Sequence, residues 1–238
     1  MVDRLQTGSR REITSPAGEP LASIRGRPLN QCHIAIEGAI GVGKSTLARK
    51  LADNLGSGTF FEQVDGNPFI ELFYQDPSRH ALSVQLSFLF SRVKQWQQIS
   101  QLNLFKRALV SDYVFAKDRL FARLNLSDEE FQLYEQVSKL VATDIAQPDL
   151  VIYLQSRPEV IMQRVRQRSR PIEKGLSLDY LRQVMAAYDE YFFHYYETPL
   201  LIVQTDKLNF AEDDASVDAL LERVSQMRSP REFWAEFV

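Results

Sequence analysis

The stretch Gly38-Ala39-Ile40-Gly41-Val42-Gly43-Lys44-Ser45, followed by Thr46, decides how the rest of this sequence reads. It satisfies GxxxxGK[ST] at every fixed position. Its context is also the one the pattern needs. His33–Glu37 before it is a short apolar run of strand type, and Lys44–Asn54 after it has helical spacing. The glycines let backbone N–H groups turn inward around a polyphosphate, and the helix N-terminus adds partial positive charge. Lys44 then reaches the β- and γ-phosphates, and the Ser45 hydroxyl ligates Mg²⁺. A glycine-rich connector alone would not require Lys and Ser at these two places. The stretch from Gly38 to Thr46 therefore predicts a nucleoside triphosphate site.

Outward from this loop, short apolar runs alternate with helical patterns. The strand candidates are His33–Glu37, Thr59–Val64, Ala108–Tyr113, Leu150–Gln155 and Leu200–Thr205. Most are short and nearly continuous in apolar residues, as in a parallel sheet covered on both faces. Helical patterns follow at Lys44–Asn54 and over the long, Gln-rich Pro77–Leu102. Ser127-Asp-Glu-Glu130 and Ser156-Arg-Pro-Glu159 read as capping boxes, the first opening a helix that Pro148 stops. Leu181, Val184, Met185, Tyr188, Tyr191, Phe192 and Tyr195 form one helical stripe, whose tyrosines read as packing residues. Val217 to Met227 suggests a closing helix. The expectation is an α/β fold with a five-stranded parallel sheet flanked by helices.

Composition narrows the function. The 238 residues carry 28 Lys+Arg against 31 Asp+Glu, a net charge of −3, which argues against a nucleic-acid polymer or an anionic membrane as partner. The lone Cys32 forms no internal disulfide, and three scattered histidines do not build a metal centre. No apolar run reaches the about 18–20 residues that span a bilayer, and the expected location is cytoplasmic. No aromatic residue precedes Phe60, and residues 1–31 carry five Arg against three acids. Residues 1–31 are thus expected to be a polar tail outside the fold, with one domain from 32 to 238.

A second basic feature lies at Arg164, Arg166, Arg168 and Arg170. On a helix Arg164 and Arg168 share a face, as do Arg166 and Arg170. One reading is a solvated basic face. The other, which the phosphate loop favours, is an anion clamp on the transferring phosphoryl group. No guanine-reading N/T-K-x-D is present, and the remaining length suits a small-molecule kinase.

At this point the sequence resembles the deoxyribonucleoside kinases of the deoxycytidine/deoxyguanosine/deoxyadenosine kinase group, in a compact bacterial form. The resemblance runs from about His33 to Phe210. Its pieces are IEGAIGVGKST, Glu62, FYQDP at Phe73–Pro77, Gln85, Ser91-Arg92, RVRQRSRPIE at Arg164–Glu173 and QTDKLNF at Gln204–Phe210. It implies a P-loop kinase fold with an arginine-rich lid, transferring the γ-phosphoryl of Mg-ATP to the 5′-hydroxyl of a deoxyribonucleoside. Glu62 would be the general base; Lys44, Arg164, Arg168 and Arg170 would stabilise the transferring charge. Tyr74 and Glu173 would hold the sugar 3′-hydroxyl, and Gln85 and Arg92 the base, a purine or cytosine in preference to thymine. Asp206 and Asn209 would meet the adenine of ATP. A homodimer through the 77–102 helix is also implied.

The chain departs from the family in two places. Ser111-Asp112-Tyr113 stands where an Asp/Glu-Arg-Ser triplet is usual, so Asp112 would direct the metal after a one-residue shift and the arginine is missing. Lys117 and Asp118 then both stand near the position of the base-side acid. The Glu62–Tyr74 segment is also short. The competing readings are a monophosphate kinase of thymidylate-kinase type and a non-catalytic nucleotide-binding module. Glu62–Asp76 contains no Lys or Arg for an acceptor phosphate, which disfavours the first.

Overall fold

A computed structural model of the chain describes residues 23–24, 27–63, 66–103, 108–143, 145–170, 173 and 175–235. At its centre lies β3 (His33–Gly38), every residue of which is buried. On one side β3 pairs with β5 (Leu109–Ser111), which pairs with β4 (Gly58–Phe60); on the other it pairs with β6 (Leu150–Gln155). Beyond β6 come β7 (Leu200–Gln204) and the edge strand β8 (Arg231–Ala235). The order is β4-β5-β3-β6-β7-β8, and all five pairings are parallel. The chain thus leaves β3 toward one edge and later returns to its other side. The carboxyl end of β3 is a topological switch point, where open α/β sheets place ligands.

The expected α/β class with a parallel sheet is what forms, but with six strands where the apolar runs indicated five. The extra strand, β8, is Arg231-Glu-Phe-Trp-Ala, half-exposed along an edge. An edge strand has no need of a continuous apolar run, so periodicity did not mark it. The second expected strand is shorter than Thr59–Val64: β4 ends at Phe60, two residues before Glu62, and Val64 lies outside the described residues.

Helices close the layers. They are α1 (Lys44–Leu55), α2 (Ile70–Gln75), α3 (Pro77–Asn103), α4 (Lys117–Asn125), α5 (Asp128–Val141), α6 (Pro158–Arg168), α7 (Leu178–Phe193) and α8 (Asp214–Ser225). Leu47, Leu51 and Leu55 of α1 enter the core beside Ile34 and Ile36 of β3. Each such side chain contributes about 1.5–3 kcal/mol by leaving water. The α7 stripe behaves as packing: Leu181, Val184, Tyr188, Phe192 and Tyr195 are all buried. A second cluster joins Phe73 of α2, Ala81, Val84, Leu89 and Val93 of α3, Ala122 of α4 and Tyr134 of α5.

The capping box at the start of α5 forms as read. Ser127 Oγ accepts the Glu130 N–H at 3.2 Å, and Glu130 Oε2 accepts the Ser127 N–H at 3.0 Å. That helix ends at Val141, earlier than Pro148 suggested. The second expected box does not form. The N-cap of α6 is Arg157, with Pro158 at the first helical position, and Ser156 Oγ donates instead to Asp206 Oδ1 at 2.6 Å. A long-range carboxylate has taken the hydroxyl that the local pattern assigned to the helix.

Most of the expected tail, residues 1–22, lies outside the described residues, as do Pro171 and Ile172 of the arginine segment. The part of residues 1–31 that is described packs on the domain. Ser23–Ile24 and Arg27–Pro28, here β1 and β2, form a short antiparallel pair. Ile24 and Leu29 are buried, and Arg27 pairs with Asp149 at 2.8 Å.

Candidate active site

The phosphate loop leaves β3 at Gly38 and enters α1 at Lys44. Gly38, Gly41 and Gly43 all have positive φ, at 144°, 85° and 115°. A Cβ on Gly38 would fall 2.5 Å from the Leu154 carbonyl oxygen, and one on Gly41 2.4 Å from a Val165 methyl. Glycine is required at both by space as well as by backbone conformation. Lys44 Nζ donates to the carbonyls of Gly38 at 2.8 Å and Ala39 at 3.0 Å, which holds the ammonium over the loop. Burial lowers this lysine to about 8, and the like charge of Lys117 adds to the shift against the pull of Glu37, Asp112 and Glu62.

Two carboxylates brace the loop. Glu37, fully buried, accepts the Gly38 N–H at 3.0 Å and the Val114 N–H at 2.9 Å. Burial raises its pKa, partly offset by Lys117 and Lys44. Asp112, the residue after β5, accepts the Ser45 hydroxyl at 2.5 Å on one oxygen and the Glu62 N–H at 2.8 Å on the other. A hydroxyl and a carboxylate oxygen in contact are hard donors of the kind Mg²⁺ takes. Among the described residues no group of three or more His, Cys, Asp or Glu is placed to hold a metal. A cation at this loop would therefore be held by Ser45, Asp112 and the nucleotide's own oxygens.

Glu62 is nearly buried and carries two cations. Arg92 donates to Oε1 through Nε at 3.1 Å and Nη2 at 2.5 Å, and Lys117 Nζ donates to Oε2 at 2.6 Å. Burial alone would raise this carboxyl, but Lys117 and Arg92 overcome it and hold Glu62 far below the usual carboxylate range. Arg92 continues to Asp118, whose other oxygen accepts the Tyr134 hydroxyl at 2.5 Å. Gln85 Nε2 donates to the Asp118 carbonyl at 2.8 Å. Gln85, Arg92 and Asp118 thus form one buried polar cluster. Of the two residues that stand near the expected base-side acid, Asp118 contacts Gln85 and Arg92, and Lys117 contacts Glu62. Sequence reasoning passed over Tyr134, Glu37 and the contact between Lys117 and Glu62, for which no local motif exists.

The remaining expected residues divide into two groups. Tyr74 and Glu173 lie within electrostatic range of each other: burial raises the Tyr74 hydroxyl, with Tyr180 and Glu173 adding to the shift. Glu173 Oε1 pairs with Arg168, while its buried Oε2 has no hydrogen-bond partner among the described residues. Arg164 reaches back from α6 to the Val42 carbonyl at 3.2 Å and to the Thr205 and Leu208 carbonyls at 2.8 and 3.2 Å. It joins the phosphate loop to the segment after β7. Arg166 and Arg170 are exposed. In that segment the Asp206 side chain is occupied by Ser156, Arg157 and Gln204, and the Asn209 side chain by Ala211 and Glu212. Both side chains shape the loop and leave its backbone as the surface toward Arg164.

A nearly buried carboxylate tied through Asp112 to a phosphate loop, with Arg164 reaching back from α6 to that loop, defines a P-loop phosphotransferase. A family model described as deoxynucleoside kinase matches residues 34–228. The chain is 36% identical over 172 residues to a deoxyadenosine kinase of Dictyostelium discoideum, covering 71% of this chain and 70% of that protein. It is 32% identical over 157 residues to a deoxyguanosine kinase of Bacillus subtilis, covering 66% and 76%. A deoxyadenosine kinase from M. mycoides, solved with bound dATP, superposes with a TM-score of 0.70 over 82% of this chain and all of that one, at 23% identity. The chain belongs to the deoxynucleoside kinase family of ATP-dependent phosphotransferases. Among the described residues no helix is long and apolar enough to cross a membrane.

Proposed function

We propose that this kinase transfers the γ-phosphoryl group of Mg-ATP to the 5′-hydroxyl of a deoxyribonucleoside, a purine or deoxycytidine, in cytoplasmic nucleotide salvage. The observation that carries this reading is the placement of Glu62. Its carboxylate is held ionised by Lys117 and Arg92, and its backbone is tied through Asp112 to Ser45 of the phosphate loop. An acceptor hydroxyl on Glu62 then faces the terminal phosphate that Lys44 holds.

In this mechanism the hydroxyl proton passes to Glu62 as the oxygen–phosphorus bond forms. The electron pair of the broken bond leaves on the diphosphate. Magnesium, held by Ser45 and Asp112, would supply charge neutralisation at the phosphates. Lys44 and the lid arginines Arg164, Arg168 and Arg170 add positive charge around the transferring group. Because that transition state is largely dissociative, positioning and charge contribute more than the base itself. Tyr74 and the open oxygen of Glu173 supply a hydroxyl and a carboxylate for the sugar 3′-hydroxyl. Gln85, Arg92 and Asp118 present donors and acceptors to the base edge. The backbone around Asp206 and Asn209 borders the adenine of ATP.

Arg92 and Lys117 bring two positive charges to the acceptor end, and Glu62 and Asp118 match them with two negative ones. No net positive charge is left there for an acceptor phosphate, which supports a nucleoside over a nucleoside monophosphate. We also place a homodimer on α3 and its neighbour α5, where Phe90, Leu133 and Leu140 are exposed at 53%, 47% and 80%.

The test is a phosphorylation panel of four deoxynucleosides, the matching ribonucleosides and dTMP with Mg-ATP. Turnover is expected for deoxyadenosine, deoxyguanosine or deoxycytidine, and Glu62→Gln should lower it by about 10²–10⁴-fold while ATP still binds. Faster turnover of dTMP than of every nucleoside would overturn the reading.

A further inference from the structure

We infer that Lys117 is a positioning residue for Glu62: it registers the acceptor-side oxygen of that carboxylate on the phosphate loop and gives that oxygen up to the substrate hydroxyl. The inference rests on the nucleoside 5′-kinase reading above. It starts from an asymmetry between the two cations on Glu62. Arg92 is fixed on every side. Its guanidinium binds Oε1 through two nitrogens, pairs with Asp118 and lies 4.8 Å over the Phe88 ring. Asp118 is in turn held by Tyr134, and the Asp118 carbonyl by Gln85. A planar fork with this many partners does not release its carboxylate oxygen.

Lys117 is held differently. It makes a single bond to Oε2, from a flexible stem that ends in a compact point charge. Its backbone is fixed, as the first residue of α4, with its N–H on the Val114 carbonyl at 3.1 Å. The Val114 N–H is on Glu37, and the second oxygen of Glu37 accepts Gly38. A continuous path therefore runs from the phosphate loop through Glu37, Val114 and Lys117 to Glu62 Oε2. Asp112 makes a second path to the Glu62 backbone. Together they fix both the main chain and one carboxylate oxygen of Glu62 against the loop.

Oε1 is closed by the guanidinium, so the acceptor hydroxyl docks at Oε2. There the substrate oxygen bonds to phosphorus, the bond to the leaving diphosphate breaks, and the hydroxyl proton goes to Oε2. Lys117 sets where that oxygen stands before the hydroxyl arrives. It is buried, with its ammonium 5.6 Å from the Phe121 ring, so it does not drift to solvent. A misplacement of about 1 Å at such a group costs on the order of 10²-fold in rate.

The test is a double-mutant cycle on the full chain, using the deoxynucleoside that wild type turns over best. Lys117→Met is expected to lower kcat by about 10²-fold with KM for ATP unchanged, and Lys117→Arg to recover little of that loss, because a planar fork closes Oε2 as Arg92 closes Oε1. In the Glu62→Gln background Lys117→Met should cost less than about threefold more, because the two residues act as one unit. Independent, multiplicative losses would overturn the inference, as would wild-type kcat in Lys117→Met or full recovery in Lys117→Arg. If Lys117→Met loses ATP binding, Lys117→Gln takes its place in the cycle and is judged by the same coupling. A wild-type protein without turnover on any deoxynucleoside overturns the functional reading itself, and this inference falls with it.

Discussion

Ser45 Oγ donates a 2.5 Å hydrogen bond to Asp112 Oδ2, joining the end of the phosphate loop to the residue that follows β5. The other Asp112 oxygen holds the Glu62 N–H, so one carboxylate touches both the Ser45 hydroxyl and the Glu62 backbone. The resemblance implies that Asp112 directs the metal after a one-residue shift. In space the carboxylate stands against Ser45. Replacing Asp112 with Asn keeps an acceptor for one of these bonds and removes the charge. The magnesium concentration for half-maximal rate should rise by about 10–100-fold, the loss typical when a group supporting a metal site is removed. A magnesium titration at fixed ATP checks this, and an unchanged requirement would take Asp112 out of the metal role.

Arg92 is 3% exposed and pairs with Glu62 and Asp118 at once. Its neighbours hold it strongly protonated against the cost of burial. Arg92→Met leaves Asp118 without its cation and Glu62 with only Lys117. Breaking a buried pair in this way costs about 3–5 kcal/mol. Tyr134→Phe removes one neutral donor from the same carboxylate and should cost only about 1–3 kcal/mol. Urea unfolding of both variants measures the difference. An Arg92→Met protein as stable as wild type would show that the cluster is dispensable to the fold.

The distance along the chain separates what could be read in advance from what could not. The phosphate loop was legible because strand, glycines, Lys44 and helix are contiguous and each is demanded by the same phosphate. The strands β3, β6 and β7 were legible because burial on both faces leaves nearly continuous apolar runs. Ser127 and Glu130 were legible because their bonds close within three residues. Lys117 meets Glu62 across 55 positions, and Ser45 meets Asp112 across 67. Only the parallel pairing of β3, β4 and β5 brings those positions together. Resemblance supplied Glu62, Gln85 and Arg92, but no pattern at Asp118 or Tyr134 announced their contacts. Ser156 shows the converse: a correct local motif lost to a carboxylate on the neighbouring strand's loop.

Gly38 offers a test of the loop's geometry apart from its chemistry. At φ 144°, with the Leu154 carbonyl where a Cβ would stand, alanine must shift the backbone that carries the Gly38 N–H to Glu37. Strain of this kind costs about 1–3 kcal/mol. Gly38→Ala should lower the melting temperature and weaken ATP binding together. Gly56→Ala is the comparison: its φ is 59°, but no atom stands within 4 Å of the added Cβ and it lies at the far end of α1. It should lower stability and leave ATP affinity intact. Equal ATP affinities in both variants would separate the Gly38 conformation from nucleotide binding.

His33 gives the protein an acid-sensitive point at the start of β3, away from the catalytic end. Its ring is 4% exposed, with Nε2 2.9 Å from Ser111 Oγ and the Trp96 ring 5.5 Å away. Burial lowers the imidazole to about 4, against a smaller upward pull from Asp149. The folded state therefore disfavours the proton that the unfolded chain takes up near pH 6.5. Stability from the neutral ring is fully present above about pH 6.5, declines as the pH falls, and is lost below about 4. The full difference is about 3 kcal/mol. His33→Gln retains a hydrogen-bonding group toward Ser111 but does not titrate. Urea unfolding at pH 7.5 and pH 4.5 should show a smaller acid loss for the variant than for wild type, by an amount approaching that figure. Carboxylates elsewhere lower stability equally in both proteins and cancel from the comparison. Identical pH slopes would mean that His33 is protonated as easily in the fold as out of it.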